Sequence, residues 1–144
     1  MKKLGFIVAV LFIGTVFNPV AAQKNKKSVK NKEVVNNPEE LPEFPGGEEA
    51  RQQFLWDNTV YPREAKKQKL EGSVVIGFVV EADGSVSNVK VVRGVHPLLD
   101  EEAVRVTKMM PNWKPGTQDG KKVRVQYRMP IRFVFDEDEK KQEE

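Results

Sequence analysis

A chain of 144 residues with one histidine and no cysteine has room for a single domain, and it excludes disulfide staples, thiol nucleophiles and thiolate metal sites. Two of its three net positive charges sit in the first 22 residues, which hold two lysines and no acid. The remaining 22 basic and 21 acidic residues nearly cancel, which argues against nucleic acid as a partner.

In chain order, Lys2 and Lys3 precede an apolar run from Leu4 to Phe17, and Asn18 to Ala22 ends in small residues. This is the pattern of a secretory signal peptide over residues 1–22, cut after Ala22; an uncleaved N-terminal anchor is the alternative. Either way the chain is read as exported. Residues 23–43 read as a flexible Lys-rich linker, with Lys24, Lys26, Lys27, Lys30 and Lys32 and little to bury. Leu41 to Gly47 (LPEFPGG) is an extended lead-in. The folded domain spans residues 44–135, and residues 136–144 form an acidic disordered tail.

Within the domain, the pattern predicts a short helix over Glu48–Asn58 with Ala50, Phe54 and Leu55 on one side. A second helix starts at Pro62, where a first-turn proline loses no intrahelical bond, and runs to Leu70. Ser73–Glu81 is rich in β-branched residues and reads as a strand. Asp83-Gly84 makes a tight turn into a returning strand, Ser85–Arg93. Pro97–Met110 carries Leu99, Ala103, Val106 and Met110 at the spacing of a buried helical stripe. Pro111 ends that helix, and Asn112 to Gly116 turns the chain, with Trp113 closing one end of the core.

The last segment, Lys121–Phe135, has the clearest pattern in the chain. Val123, Val125, Tyr127, Met129, Ile131, Phe133 and Phe135 occupy alternate positions, with Arg124, Gln126, Arg128 and Arg132 between them. A period of two gives a strand with one buried and one wet face. Pro130 cannot donate to a ladder, which places the strand at a sheet edge or at a bulge. A free edge is a template for another strand. The order helix, strand, strand, helix, strand specifies an α+β fold: a small antiparallel three-stranded sheet with helices on one face.

No spacing demands catalysis. His96 lies beside Pro97 at a helix start, far from any elbow serine, and the strand residues Ser73, Ser85 and Ser87 have no base beside them. Glu101 and Glu102 are adjacent on a helix, so they diverge; their place is the first turn, against the positive end of the helix dipole. Gly116 to Gly120 (GTQDG) lacks the ending of a phosphate loop and is a turn. The reading is a binding module without catalytic residues, metal or cofactor.

Tyr61-Pro62, Ala65, Gly72-Ser73-Val74, Phe78-Val79-Val80, Asp83-Gly84-Ser85-Val86, Leu99 to Ala103 (LDEEA), Met110 to Gly116 (MPNWKPG) and Val125 to Ile131 (VQYRMPI) together resemble the TonB C-terminal domain family. The resemblance covers roughly residues 44–135. It implies a periplasmic domain that grips the TonB box of TonB-dependent outer-membrane transporters, working with an ExbB–ExbD-type motor if the chain is anchored. It also implies that the box adds as a strand along Val123, Arg124, Val125, Gln126, Tyr127, Arg128 and Met129, supported by Tyr61, Pro62, Trp113, Pro115 and Gly116. A homodimer through the same edge is a further use of it. Residues 1–22 hold no histidine, and residues 23–41 have a single proline, Pro38. These departures from the family leave open a soluble periplasmic adaptor that binds extended peptides without transducing energy.

Overall fold

A computed structural model describes residues 33–136. The signal-peptide reading, the linker as far as residue 32 and the tail beyond Asp136 lie outside the described residues. In chain order the elements are β1 (Val34–Val35), α1 (Gly47–Asn58), α2 (Arg63–Lys67), β2 (Gly72–Val80), β3 (Val86–Arg93), α3 (Pro97–Lys108), β4 (Thr117–Gln118), β5 (Lys121–Lys122) and β6 (Arg124–Phe133). The fold is α+β. Its main sheet has the order β1-β6-β2-β3, and β4 and β5 form a separate two-stranded hairpin. Among the described residues, no helix is long and apolar enough to cross a membrane.

Two features of the sheet correct the sequence reading. A fourth strand, β1, joins the three antiparallel ones, and it runs parallel to β6. Residues 33–43, expected within the flexible linker, instead lie along the domain: Glu40 and Glu43 exchange backbone hydrogen bonds with Thr117 and Lys114 at 2.8–3.1 Å. The long last strand is also interrupted. Lys121–Lys122 pair with Thr117–Gln118 across a turn in which Asp119 and Gly120 both have positive φ, and Val123 turns inward to donate to the Gly116 carbonyl at 3.0 Å. The apolar alternation survives this break, since Val123 is buried whichever neighbour the backbone pairs with.

The core lies on one face of the sheet. Val74, Ile76, Phe78 and Val80 of β2 and Met129, Ile131 and Phe133 of β6 meet Leu99, Ala103 and Val106 of α3 and Met110 just beyond its end. Trp113 closes one end, with ring centroids 5.1 Å from Tyr127, 5.4 Å from Phe78 and 5.6 Å from Phe44. Such tilted and edge-to-face pairs add about 0.5–1.5 kcal/mol each beyond their buried area. Gly84 secures this end of the domain. Its φ is +88°, its carbonyl accepts from the Trp113 N–H at 2.7 Å, and a Cβ there would stand 2.1 Å from the Trp113 oxygen.

The lone histidine is a cap. His96 Nδ1 accepts from the Leu98 N–H at 3.2 Å, at the start of α3. Glu102 does more than face the helix dipole. It is 8% exposed, accepts from the Val60 N–H at 2.7 Å, and is paired with Arg105, which also donates to the Asn58 carbonyl. The end of α1 is thus tied to α3 through one buried carboxylate.

Candidate docking edge on the last strand

β6 is the strand that the sequence pattern singles out as a candidate docking edge. On one side it pairs with β2 over nine positions without a bulge, from Gly72↔Phe133 to Val80↔Val125. Pro130 sits inside that run, opposite Val75. A proline has no N–H, so an unbroken ladder requires its nitrogen to point away from β2. Because backbone direction alternates along a strand, Arg124, Gln126, Arg128 and Arg132 turn their peptide groups the same way, outward.

Only the first part of this outward edge is covered. β1 lies along it with Val34↔Arg124 and Val35↔Val125, and it ends there. From Arg128 to Arg132, no strand among the described residues lies beside β6. The opposite border of the sheet, β3, is a poorer template. Its pairing with β2 slips twice, and Asn88 has a positive φ; such irregularities twist a border away from further pairing.

Side chains separate the two stretches as well. Arg124 donates to both carboxylate oxygens of Glu81 at 2.6 and 3.1 Å. That bond holds the Glu81 carboxyl below its ordinary range and raises the Arg124 guanidinium; the Ser87 hydroxyl adds to the effect on Glu81. Gln126 Nε2 donates to the Phe78 carbonyl at 3.2 Å, and the Tyr127 hydroxyl accepts from Arg51 at 2.9 Å. Arg128 and Arg132 are exposed on the face away from the helices, each without a bonded partner among the described residues.

Of the residues expected at this site, Val123, Val125 and Met129 have buried side chains, and by the same alternation Val125 and Met129 turn their peptide groups to β2. The expected supporting residues belong to the scaffold. Tyr61 stacks edge-on against Phe133 with centroids 5.8 Å apart and donates to the Leu70 carbonyl, and Pro62 precedes α2. Gly116 lets Val125 and the Glu40 carbonyl approach closely, where a Cβ would stand 2.7 and 2.8 Å from them. Pro115 and Trp113 form the turn before β4.

Sequence reasoning missed a groove of about 960 Å³ between the second half of α1 and the end of β6. Gln52, Leu55, Trp56 and Val60 line one wall; Pro130, Arg132 and Val134 line the other. Trp56 is 81% exposed, Val60 62% and Val134 54%. The available signal was Trp56 itself, which falls off the Ala50–Phe54 stripe of α1 on a helical wheel and so has no place in the core.

The family model described as the Gram-negative bacterial TonB protein C-terminal matches residues 57–135. Protein TonB from two strains of Helicobacter pylori is 30% identical to the chain over 79 residues, covering 54% of this chain and 26% or 27% of those proteins. The chain therefore matches about a quarter of the length of these curated relatives. Two NMR solution structures of the H. pylori TonB C-terminal domain align at 25% and 26% identity, with TM-scores of 0.47 and 0.48. The alignments cover 60% and 62% of this chain and 78% and 94% of those chains.

Proposed function

The chain belongs to the TonB C-terminal family, and from that premise we propose that it is a periplasmic docking domain that takes the TonB box of a TonB-dependent outer-membrane transporter as an added strand on β6. The observation that carries this reading is the outward backbone of β6 from Arg128 to Arg132, which no strand among the described residues covers. Strand addition supplies affinity through main-chain hydrogen bonds, and the side chains on either face supply selectivity. A five-residue addition forms about four to six bonds of roughly 0.5–1.5 kcal/mol net each. Association and ordering costs oppose them, which leaves an affinity near micromolar, about −8 kcal/mol. A bond of that strength lets go after each cycle, while a pull directed along the strand loads all its hydrogen bonds together. Energy would come from an ExbB–ExbD-type motor acting through an anchored N-terminus.

The test is titration of a synthetic TonB-box peptide into the isotope-labelled chain. The amides of β6 should move, with the outward ones moving most. Shifts confined to the helices would contradict the reading. The informative variant is Arg128→Pro. It removes an outward N–H while leaving the β2 ladder intact, as Pro130 already does, and should weaken the peptide several-fold. Prolines at Val125 or Tyr127 would break the β2 ladder itself and report only on folding.

A further inference from the structure

Three neighbouring features bear on what this stretch can hold. The open stretch of β6 carries Arg128 and Arg132 on its solvent face. Its end forms one wall of the groove whose opposite wall holds Trp56 and Val60, both strongly exposed. Arg63, also exposed, stands at the same groove. A strand laid beside Arg128–Arg132 must point its side chains alternately to the two faces of the sheet. On one face they meet two arginines with no bonded partner among the described residues, where carboxylates make favourable cross-strand pairs. On the other they pass over the Trp56–Val60 groove, where apolar groups lose water.

From this we infer that the occupant of the open stretch is an extended segment of another protein that alternates acidic with apolar residues. It sits on Arg128–Arg132 and leaves β1 in place. The inference rests on the docking reading above and specifies the chemistry of the partner.

The same charges disfavour the competing occupants. A second copy pairing antiparallel about Pro130 would set Arg128 opposite Arg132 twice over, and like charges directly opposite are destabilising. The chain's own residues 137–144 (EDEKKQEE) are acidic but offer no apolar side chain to Trp56.

The test uses two blocked hexapeptides, one alternating valine with glutamate and one alternating valine with lysine, titrated into the labelled full chain. The glutamate peptide should move the Arg128–Arg132 amides and the Trp56 indole, and should bind about tenfold tighter than the lysine peptide. In the double variant Arg128→Glu with Arg132→Glu, the preference should reverse, a result that misfolding cannot produce. Equal binding of the two peptides, or no reversal, would overturn the inference while strand addition stands. So would shifts at Arg124–Val125 with loss of β1, which would place the peptide on the stretch the chain already covers. A dimer in sedimentation, or movement of the Arg128–Arg132 amides when residues 137–144 are removed without peptide, would assign the stretch to a second copy or to the tail, and overturn it too. If neither peptide moves any amide of β6, the docking reading itself fails.

Discussion

From Arg124 to Tyr127, the last strand has β1 along its start, its arginine tied to Glu81 and its tyrosine held by Arg51. From Arg128 to Phe133 the same strand keeps the same partner, β2, on its inner border, yet no strand among the described residues lies along its outer one. Their inward side chains are alike, since Val125, Met129, Ile131 and Phe133 are all buried. The halves therefore share one role in stability and differ in what they leave unsatisfied. Inward packing fixes where the strand lies. Outward, the chain's own reach decides which peptide groups another strand of the sheet covers.

The largest expected effects come where the halves agree. Phe78→Ala, beneath Tyr127, and Phe133→Ala, against Tyr61, should each cost about 3–5 kcal/mol in urea unfolding. If either were tolerated, the shared inner face would not be the common support described here.

A smaller effect marks the first half alone. The folded Glu81 carboxyl is held below its ordinary range, chiefly by its hydrogen bond to Arg124. Its stabilisation is therefore complete above the unfolded carboxyl's titration range and is lost as pH falls through the depressed folded value. Glu81→Gln should flatten the acid limb of the stability–pH profile, whereas Arg132→Gln should leave that limb unchanged. Equal flattening by both would erase the electrostatic difference between the halves.

Smaller still, Val35→Pro should release β1 at a cost of about 1 kcal/mol or less, because a two-residue strand contributes few hydrogen bonds. Peptide affinity at the second half should not change. Last, Arg128→Ala should alter stability by no more than about 0.5 kcal/mol, as expected of an exposed side chain outside any network. It should nevertheless weaken an acidic peptide measurably.

Much of this fold was legible because it follows local periodicity. The alternation in Val123–Phe135, the β-branched run of β2, the Asp83-Gly84 turn and the stripe on α3 each report burial within a few neighbours. The long-range choices were not legible. Val34 and Val35 are two apolar residues between charged and polar neighbours, and nothing local says that they add to Arg124 and Val125. Lys121 and Lys122 fit the last strand's pattern but pair within the β4–β5 hairpin, because Asp119 and Gly120 adopt the positive φ that a tight turn needs. Glu102 looked like a dipole partner, and its bond to the Val60 N–H depends on how α1 ends in space. The candidate docking edge was visible as a pattern. Its division into a covered and an open half was not, nor was the Trp56 groove beside the open one.

Amide hydrogen exchange along β6 tests the central claim most directly, because it reads the outward N–H groups one at a time. In the free chain, Arg124, beside β1, should exchange slowly, while Arg128 and Arg132 exchange fast and slow down when a TonB-box peptide is added. Arg128 and Arg132 amides already as protected as Arg124 in the free chain, or unchanged by saturating peptide, would contradict the account.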